Sequence, residues 1–304
     1  MRILVGVDGS SASRVACEFV GGRAWPAGTR IRLLAAVEPI VDWIGLAPRD
    51  ADAIDAERDA LSVVLDDRAH ELRRRGLAVD TVVEVGRPED LLTAHAAETF
   101  SDLIVVGSRG LGSAASALLG SVSAHLVDHA SCPVLVVRSP SAHRMLLATD
   151  GAESSRGIPR VLAAWGNAFR GLPVEVLSVA PRERFITPWA FFDDDDDVVS
   201  DPDPELVLYA ATASTVADEL SELGWRAEAV ARCGDPGREI VATCNEAGAD
   251  LIVTGSRGIG TLHRLVGGSV AHDVLMHARS SVLVVRGHVP SQSRDAVAAR
   301  PAFA

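Results

Sequence analysis

The sequence predicts an α/β protein made of two tandem doubly wound domains, each a five-stranded parallel sheet with helices on both faces. Short apolar runs alternate with helical patterns along the 304 residues, which is typical of strands that pair in parallel through crossover helices. Hydrophobic residues make up 48% of the chain but aromatic residues only 4%, and this aliphatic composition suits buried parallel strands. The order of these segments also occurs twice, and a chain of this length fits two domains of ordinary size.

The first half begins with a buried strand and a turn, Asp8 to Ser11, that caps a helix ending near Arg23. A second strand is followed by a loop and by a long amphipathic helix that ends at Gly76. Pro88, with two acidic residues after it, marks the start of the next helix. The five predicted strands are Arg2–Val7, Arg30–Val37, Val79–Val85, Asp102–Gly107 and Pro133–Arg138.

The same order restarts at Arg144 and defines the second half. Asp150 and Gly234 follow their first-half counterparts by 142 and 148 residues, so six additional residues lie between these two points. We expect them in the loop after the second strand of this half, which carries the aspartate run Asp193–Asp197. The predicted boundaries are 1–140 for the first domain, 141–289 for the second, and 290–304 for a disordered tail that lacks periodicity.

A glycine-rich loop follows the fourth strand of each half and precedes a helix. Both copies have the spacing Gly-x2-Gly-x9-Gly-Ser, and both follow a strand that opens with Asp-Leu-Ile-Val. Such a loop directs backbone N–H groups and the positive end of a helix dipole at one spot, which suits a phosphate. The chain contains no lysine, so a P-loop is excluded, and a dinucleotide fingerprint would follow the first strand instead. Tight packing of a turn is the alternative for a single copy, and the shared spacing argues against it for the pair.

Charge and cysteine usage exclude several classes of function. The formal net charge of −12 argues against binding to nucleic acid or to an anionic membrane surface. The four cysteines are widely spaced and form no C-x-x-C pair, so neither a disulfide framework nor a zinc site is expected. No apolar run approaches 18 residues and no signal-peptide pattern is visible. We therefore expect a soluble, cytoplasmic protein.

The duplicated pattern, with Asp-Gly after each first strand and the glycine motif near each end, resembles a tandem universal stress protein of the kind that binds ATP. The resemblance covers nearly the whole chain apart from the tail, and it implies ATP, with Mg²⁺, as the ligand. It places the two aspartates near ribose and adenine, the ends of the second strands against adenine, and the glycine-serine motifs on ribose and phosphates. The residues implied are Asp8, Val37, Gly107, Arg109, Gly110, Gly120, Ser121 and Val122 in the first half and Asp150, Val179, Gly255, Arg257, Gly258, Gly268, Ser269 and Val270 in the second.

Some of these residues have an alternative role. Asp8 is also a candidate N-cap for the first helix, and the two roles can coexist. Arg109 and Arg257 either screen phosphate charge or face solvent. Some relatives have proline two residues before the aspartate, where this chain has Gly6 and Ala148, so the adenine end is less well defined than the phosphate end.

The leading functional interpretation is a stress-response or signalling module in which ATP occupancy tunes conformation or partner binding. A slow Mg²⁺-dependent ATPase is the alternative, and an adenylating or flavoprotein-like enzyme is a third. No catalytic set and no metal cluster can be placed by spacing, so enzymatic activity is not expected. The near-identical fifth strands predict that the two halves pair through their sheet edges, as the family resemblance also implies. A homodimer and an unidentified protein partner are the other partners considered.

Overall fold

The computed structural model describes residues 1–38, 51–110, 119–181, 204–256 and 270–286. Each half contributes five strands. In the first half these are β1 (Arg2–Gly6), β2 (Arg30–Val37), β3 (Ala78–Val85), β4 (Leu103–Gly107) and β5 (Val134–Val137), with helices α1 (Ser11–Gly21), α2 (Ala51–Arg74), α3 (Pro88–Glu98) and α4 (Ser121–His129). In the second half they are β6 (Met145–Ala148), β7 (Pro173–Pro181), β8 (Arg226–Gly234), β9 (Leu251–Gly255) and β10 (Ser281–Val285), with helices α5 (Glu153–Arg156), α6 (Ile158–Ala164), α7 (Pro204–Glu222), α8 (Pro236–Ala247) and α9 (Val270–His277).

The strands form one continuous ten-stranded sheet in the order β3-β2-β1-β4-β5-β10-β9-β6-β7-β8. Pairing is parallel within each half, whereas β5 and β10 pair antiparallel, with Leu135 opposite Leu283. The prediction that the halves join through their fifth strands is therefore confirmed. Every residue of β5 and β10 is buried, so the edge that each half would expose alone is covered by the other.

The seam between β5 and β10 is reinforced on one face of the sheet by aromatic side chains. Phe19 and Trp25 of the first half meet Trp165 and Phe169 of the second, with ring centroids 5.9 to 6.4 Å apart. The Arg23 guanidinium lies 4.6 Å from the centroid of the Phe19 ring. Tilted and edge-on contacts of this kind add stabilisation beyond the area they bury. A chain with few aromatic residues thus places several of them between its halves.

On the other face, two arginines cross the seam in opposite directions. Arg138 follows β5 and donates to the carbonyl of Leu275 in α9, at 2.6 Å. Arg286 follows β10 and donates to the carbonyl of Val127 in α4, also at 2.6 Å. The acceptors lie in the last turns of their helices, where carbonyl groups lack partners within the helix and a positive charge is favoured. Each half therefore stabilises the end of a helix in the other.

The structure corrects three details of the prediction. The first helix of the second half is broken into α5 and α6, because Pro159 lacks an N–H group and its ring crowds the preceding turn. Helix α1 ends at Gly21 and not near Arg23. The strand registers also divide the six additional residues: Leu34 and Leu177 occupy equivalent positions 143 apart, so one residue lies before β7 and five lie after it. The aspartate run Asp193–Asp197 and the tail 290–304 lie outside the described residues.

Candidate functional site

The first side of the site is the turn after β1. Gly9 has a φ of +79°, a conformation that favours glycine, and this turn leads directly into α1. The N-cap of α1 is Ser10, whose hydroxyl accepts from the N–H of Ser13 at 3.1 Å. The N-cap role considered for Asp8 is therefore wrong. Asp8 instead accepts from the N–H of Ser10 at 3.0 Å, which holds its carboxylate at the carboxyl edge of the sheet.

The second side is the loop after β4, which is fastened to the start of α4. The N–H of Gly120 donates to the carbonyl of Ser108 at 2.9 Å, and the hydroxyl of Ser123 donates to the carbonyl of Gly107 at 2.9 Å. A Cβ on Gly107 would lie 2.6 Å from the carbonyl carbon of Ala12, so glycine is required there for α1 to approach the strand. Gly107 thus has a packing role in this fold whether or not a ligand is bound.

These two sides meet at Gly110. A Cβ built on this exposed glycine would lie 2.8 Å from Oδ2 of Asp8, so the carboxylate lies directly against the loop backbone. A Cβ on Gly120 would meet only ordinary contacts, at 3.5 Å or more from the same loop. Ser121 is exposed in the first turn of α4, while Val122 packs partly against the core. Asp8, Gly110, Gly120 and Ser121 therefore lie close together at the carboxyl edge of the sheet.

Helix α4 begins without a side-chain cap. Its N-cap residue is Gly120, and the N–H groups of Ser121, Val122 and Ser123 have no acceptor among the described residues. Unpaired N–H groups at a helix N-terminus carry partial positive charge and bind anions. The start of α4 thus has N–H groups that the described residues leave available to an anion.

Val37 and Val179, the residues predicted to face adenine, do not occupy matching positions in the two halves. Val37 is fully buried, and its carbonyl accepts from the N–H of Gly86 at 3.0 Å, so this oxygen is already used by the fold. Val37 lies opposite Val85 in the sheet, and the residue in the matching place of the second half is Ala180, opposite Cys233. Val179 is therefore one residue away from the counterpart of Val37, because one additional residue precedes β7.

In the second half, Asp150 is held by a network of hydroxyl groups. Its Oδ1 accepts from the N–H of Ala152 and from the hydroxyl of Ser155, both at 2.9 Å. The hydroxyl of Thr149 donates to Ser155 at 3.1 Å, and both of these side chains are buried. Asp150 thus has the same position as Asp8 but deeper anchoring. Gly255 ends β9 and Val270 begins α9, whereas Arg257, Gly258, Gly268 and Ser269 lie outside the described residues.

Tyr209 is a residue near this second site that the sequence interpretation missed. It lies on α7, and burial raises the pKa of its hydroxyl, with further contributions from the negative charges of Glu205 and Asp150. Thr212 on the same helix would lie 3.0 Å from a Cβ on Gly151, and Val64 is the matching neighbour of Gly9 in the first half. By this alignment Tyr209 replaces Leu61 of α2. No motif surrounds the chain's single tyrosine, and only the repeat alignment signals it.

The positive charge of the glycine loop in the first half affects an arginine at the seam. Arg109 is exposed in the glycine loop. The pKa of the Arg138 guanidinium is lowered to about 10, mainly by burial and further by the positive charge of Arg109. An anion bound beside Arg109 would offset this repulsion. The described residues contain no group of three or more side chains suited to a metal ion.

Comparison with known proteins agrees with this geometry. The sequence profile described as "Universal stress protein family" matches residues 1–138 and again residues 142–286. The chain belongs to the universal stress protein family.

Members of the family with one and with two domains resemble this chain. A universal stress protein of Mycobacterium tuberculosis is 28% identical over 312 aligned residues, covering 94% of this chain and 96% of the relative. A single-domain universal stress protein of Thermus aquaticus is 33% identical over 142 residues, covering 45% of this chain and 97% of the relative. The crystal structure of a universal stress protein from Archaeoglobus fulgidus matches with a TM-score of 0.67 at 19% identity, covering 94% of this chain and 96% of that one. The tandem arrangement and the fold class are thus shown.

No helix in the described part of the chain is both long enough and apolar enough to cross a membrane.

Proposed function

We propose that the protein binds ATP, as its Mg²⁺ complex, at the carboxyl edge of each half of the sheet, and that occupancy tunes conformation or partner binding in a stress response. The observation that carries this proposal is the convergence of three groups in the first half. The Asp8 carboxylate, the exposed Gly110 backbone and the uncapped start of α4 lie together. Family membership supports the same interpretation.

Each of these groups has a distinct chemical task. The oxygens of the Asp8 carboxylate would accept hydrogen bonds from ribose hydroxyl groups. The free N–H groups of α4 would donate to phosphate oxygens, and the absence of a Cβ on Gly110 and Gly120 allows those oxygens to approach the backbone. Arg109 would add a positive charge on the solvent side. The tasks proposed for these groups are binding and charge neutralisation, which favours binding over hydrolysis.

We extend the proposal to the second half, because Asp150 and the start of α9 occupy matching positions. Tyr209 would provide an aromatic ring and a hydroxyl group there, where the first half has only Leu61. The two sites would therefore differ in affinity.

Titration calorimetry with ATP and Mg²⁺ tests the proposal directly. Wild-type protein is expected to bind two equivalents of ATP, and Gly120→Val is expected to bind one. The added Cβ meets only ordinary contacts among the described residues, and the side chain occupies the space into which phosphate would come, so affinity at that site should fall at least tenfold to a hundredfold. Gly157→Val is the matched control, because a Cβ on Gly157 meets no atom within 4 Å and this glycine lies in the other half.

Two outcomes would redirect the interpretation. If Gly120→Val still binds two equivalents, the glycine motif does not hold the phosphates. Steady Mg²⁺-dependent formation of ADP supports the slow ATPase alternative, and a rate of about 1 per second or faster, an ordinary enzyme rate, contradicts a binding module.

A further inference from the structure

The opposite, amino-terminal edge of the first half contains a cavity of about 420 Å³. It lies at the start of β1 and β2 and beside the end of α3. The strand β1 has five residues at about 3.3 Å each, so this cavity is about 16 Å from the Asp8 turn and separate from the proposed ATP site. Cavities of this volume accommodate small organic molecules.

Arginine is the commonest residue type in the lining of the cavity. Arg2, Arg30 and Arg32 line it together with a single acidic residue, Asp80. The lining therefore has a formal charge of +2 in a chain whose net charge is −12. Ala78 and Val79 supply apolar surface between the charged groups. An excess of arginine beside apolar surface suits a ligand that has an anionic group on an apolar body.

The three arginines differ in whether their guanidinium groups already have partners within the protein. Arg32 pairs with Asp80 at 2.6 Å, and Arg2 donates to the carbonyl of Thr99 at 2.5 Å. Arg30 is exposed and has no carboxylate partner among the described residues. Two hydroxyl groups, of Thr99 and Ser101, lie 2.9 Å apart at the same wall. Arg30 is therefore the cation best placed to meet an incoming anion.

The second half lacks this set of charges. The strand registers place Pro173 and Glu175 in the positions of Arg30 and Arg32, and Glu228 in that of Asp80. The matching edge has two arginines and two glutamates, and thus no net charge. The arginine set is therefore particular to the first half and is not a requirement of the repeated fold.

Phe100 is an independent feature of the same edge. It lies between Thr99 and Ser101 in the chain, its side chain is 70% exposed, and its φ is +50°. The N–H of Ser101 donates to the carbonyl of Ala96, as the N–H of Ala249 donates to that of Cys244 in the second half, so Phe100 matches Gly248.

Gly248 has nearly the same φ, +64°, and pays no steric cost for it. The first half thus keeps a bulky ring where the backbone favours glycine, and the ring packs little against the fold. Strained residues that persist in exposed positions are enriched at binding sites.

From these observations we propose that the amino edge of the first half binds a small organic anion, in which a carboxylate or phosphate group is joined to a flat apolar body. Arg30 and Arg32 bind the anionic group, and Phe100 at the rim contacts the apolar body. The bound anion neutralises the excess positive charge of the arginines. In the second half a glutamate, Glu175, occupies the position of Arg32, and no such carboxylate is present at this position in the first half.

The fluorescent probe anilinonaphthalene sulfonate combines a sulfonate with aromatic rings and tests this proposal in full-length protein saturated with ATP. We expect one equivalent to bind. Arg30→Ala should weaken binding about tenfold, the effect of losing one charge-assisted hydrogen bond, and Arg32→Glu should weaken it more than about tenfold because it reverses the charge. Arg226→Ala is the matched control, because it removes an exposed arginine from the same edge of the second half and should leave binding unchanged. Absence of binding, or equal weakening by all three variants, overturns the proposal.

Phe100→Gly separates a binding role from a structural one. Relief of the backbone strain should raise the melting temperature by about 2 °C. If the ring contacts the ligand, this variant should also weaken probe binding several-fold, whereas unchanged binding would overturn the role of Phe100.

Competition with small anions identifies the headgroup. Benzoate and phenyl phosphate should displace the probe, and the stronger competitor indicates the preferred anionic group. Inorganic phosphate should displace it far less, because it lacks the apolar body. Displacement by neither aromatic anion, or equally well by inorganic phosphate, contradicts a site for organic anions. The readout does not depend on ATP binding, since the variants are distant from the Asp8 turn.

Discussion

The two halves of this protein have the same backbone fold, but the side chains around corresponding positions differ. In the first half, the Asp8 carboxylate lies against an exposed glycine at the mouth of the loop. In the second half, Asp150 is anchored to the buried hydroxyl of Ser155, and Tyr209 approaches it from the neighbouring helix. The comparison teaches that register and hydrogen-bonded turns are retained between the repeats while their side-chain chemistry has diverged.

The largest expected effect concerns the seam, where each half completes the other. A fragment of residues 1–140 would expose β5 and its apolar edge, so we expect it to form a homodimer through β5. In that dimer Arg138 would find the Val127 carbonyl of the second copy in place of that of Leu275. Sedimentation equilibrium should show a dimer, and Arg138→Ala should weaken it by about tenfold or more. A monomeric fragment would show that the second half contributes more than a matching edge.

A smaller effect should separate the two aspartates. Asp150→Ala removes the acceptor of a backbone N–H and one of the two acceptors of the buried Ser155 hydroxyl, and we expect the free energy of unfolding to fall by about 2 kcal/mol. Asp8→Ala should cost about 1 kcal/mol, since its turn also has the Ser10 cap. Urea denaturation measures both. Asp150→Asn, which retains an acceptor oxygen, should recover part of the loss. Equal losses for Asp8→Ala and Asp150→Ala would contradict the difference in anchoring.

The smallest expected effect is a difference in the alkylation rates of the cysteines, which can be measured in the folded protein. Burial raises the pKa of Cys17 and of Cys132 to about 12, so almost none of either thiol is ionised at pH 8. Burial also raises the pKa of Cys244, whereas Cys233 on the edge strand β8 is partly exposed. Iodoacetamide should therefore label native protein first in the second half, at Cys233. Mass spectrometry should find one rapid modification, absent in Cys233→Ser, and rapid labelling of Cys17 would be inconsistent with its burial.

Much of the fold and part of the site are visible in the sequence, for definite reasons. Strand runs and their repeated order are local signals, and they predict the doubly wound halves. The placement of Asp8 near the glycine loop is implied by the family resemblance and by no local signal. The choice between Asp8 and Ser10 as N-cap is not local, because both residue types cap helices and only the exact turn decides. The position of the one residue added before β7 also cannot be predicted from the sequence, because Val179 and Ala180 are both apolar and either one fits the position that matches Val37.

Other features depend on which segments the fold brings together. Arg30 and Arg32 look like ordinary charged residues at the start of a strand, and only the packing of β2 beside the end of α3 reveals a cavity. Phe100 carries no signal of its positive φ in the sequence, since its counterpart Gly248 is the residue expected there. Tyr209 becomes notable only when the two long helices are superimposed through the repeat.

The antiparallel joint between β5 and β10 has a consequence for valency. Because all strands within a half run in one direction and the two halves run in opposite directions at the seam, the Asp8 and Asp150 turns face away from each other. Ligands bound at the two carboxyl edges would therefore lie at opposite ends of the sheet, each beside a different proposed nucleotide site. A single chain is therefore bivalent in geometry. The residues around Asp8 and around Asp150, at its two ends, differ.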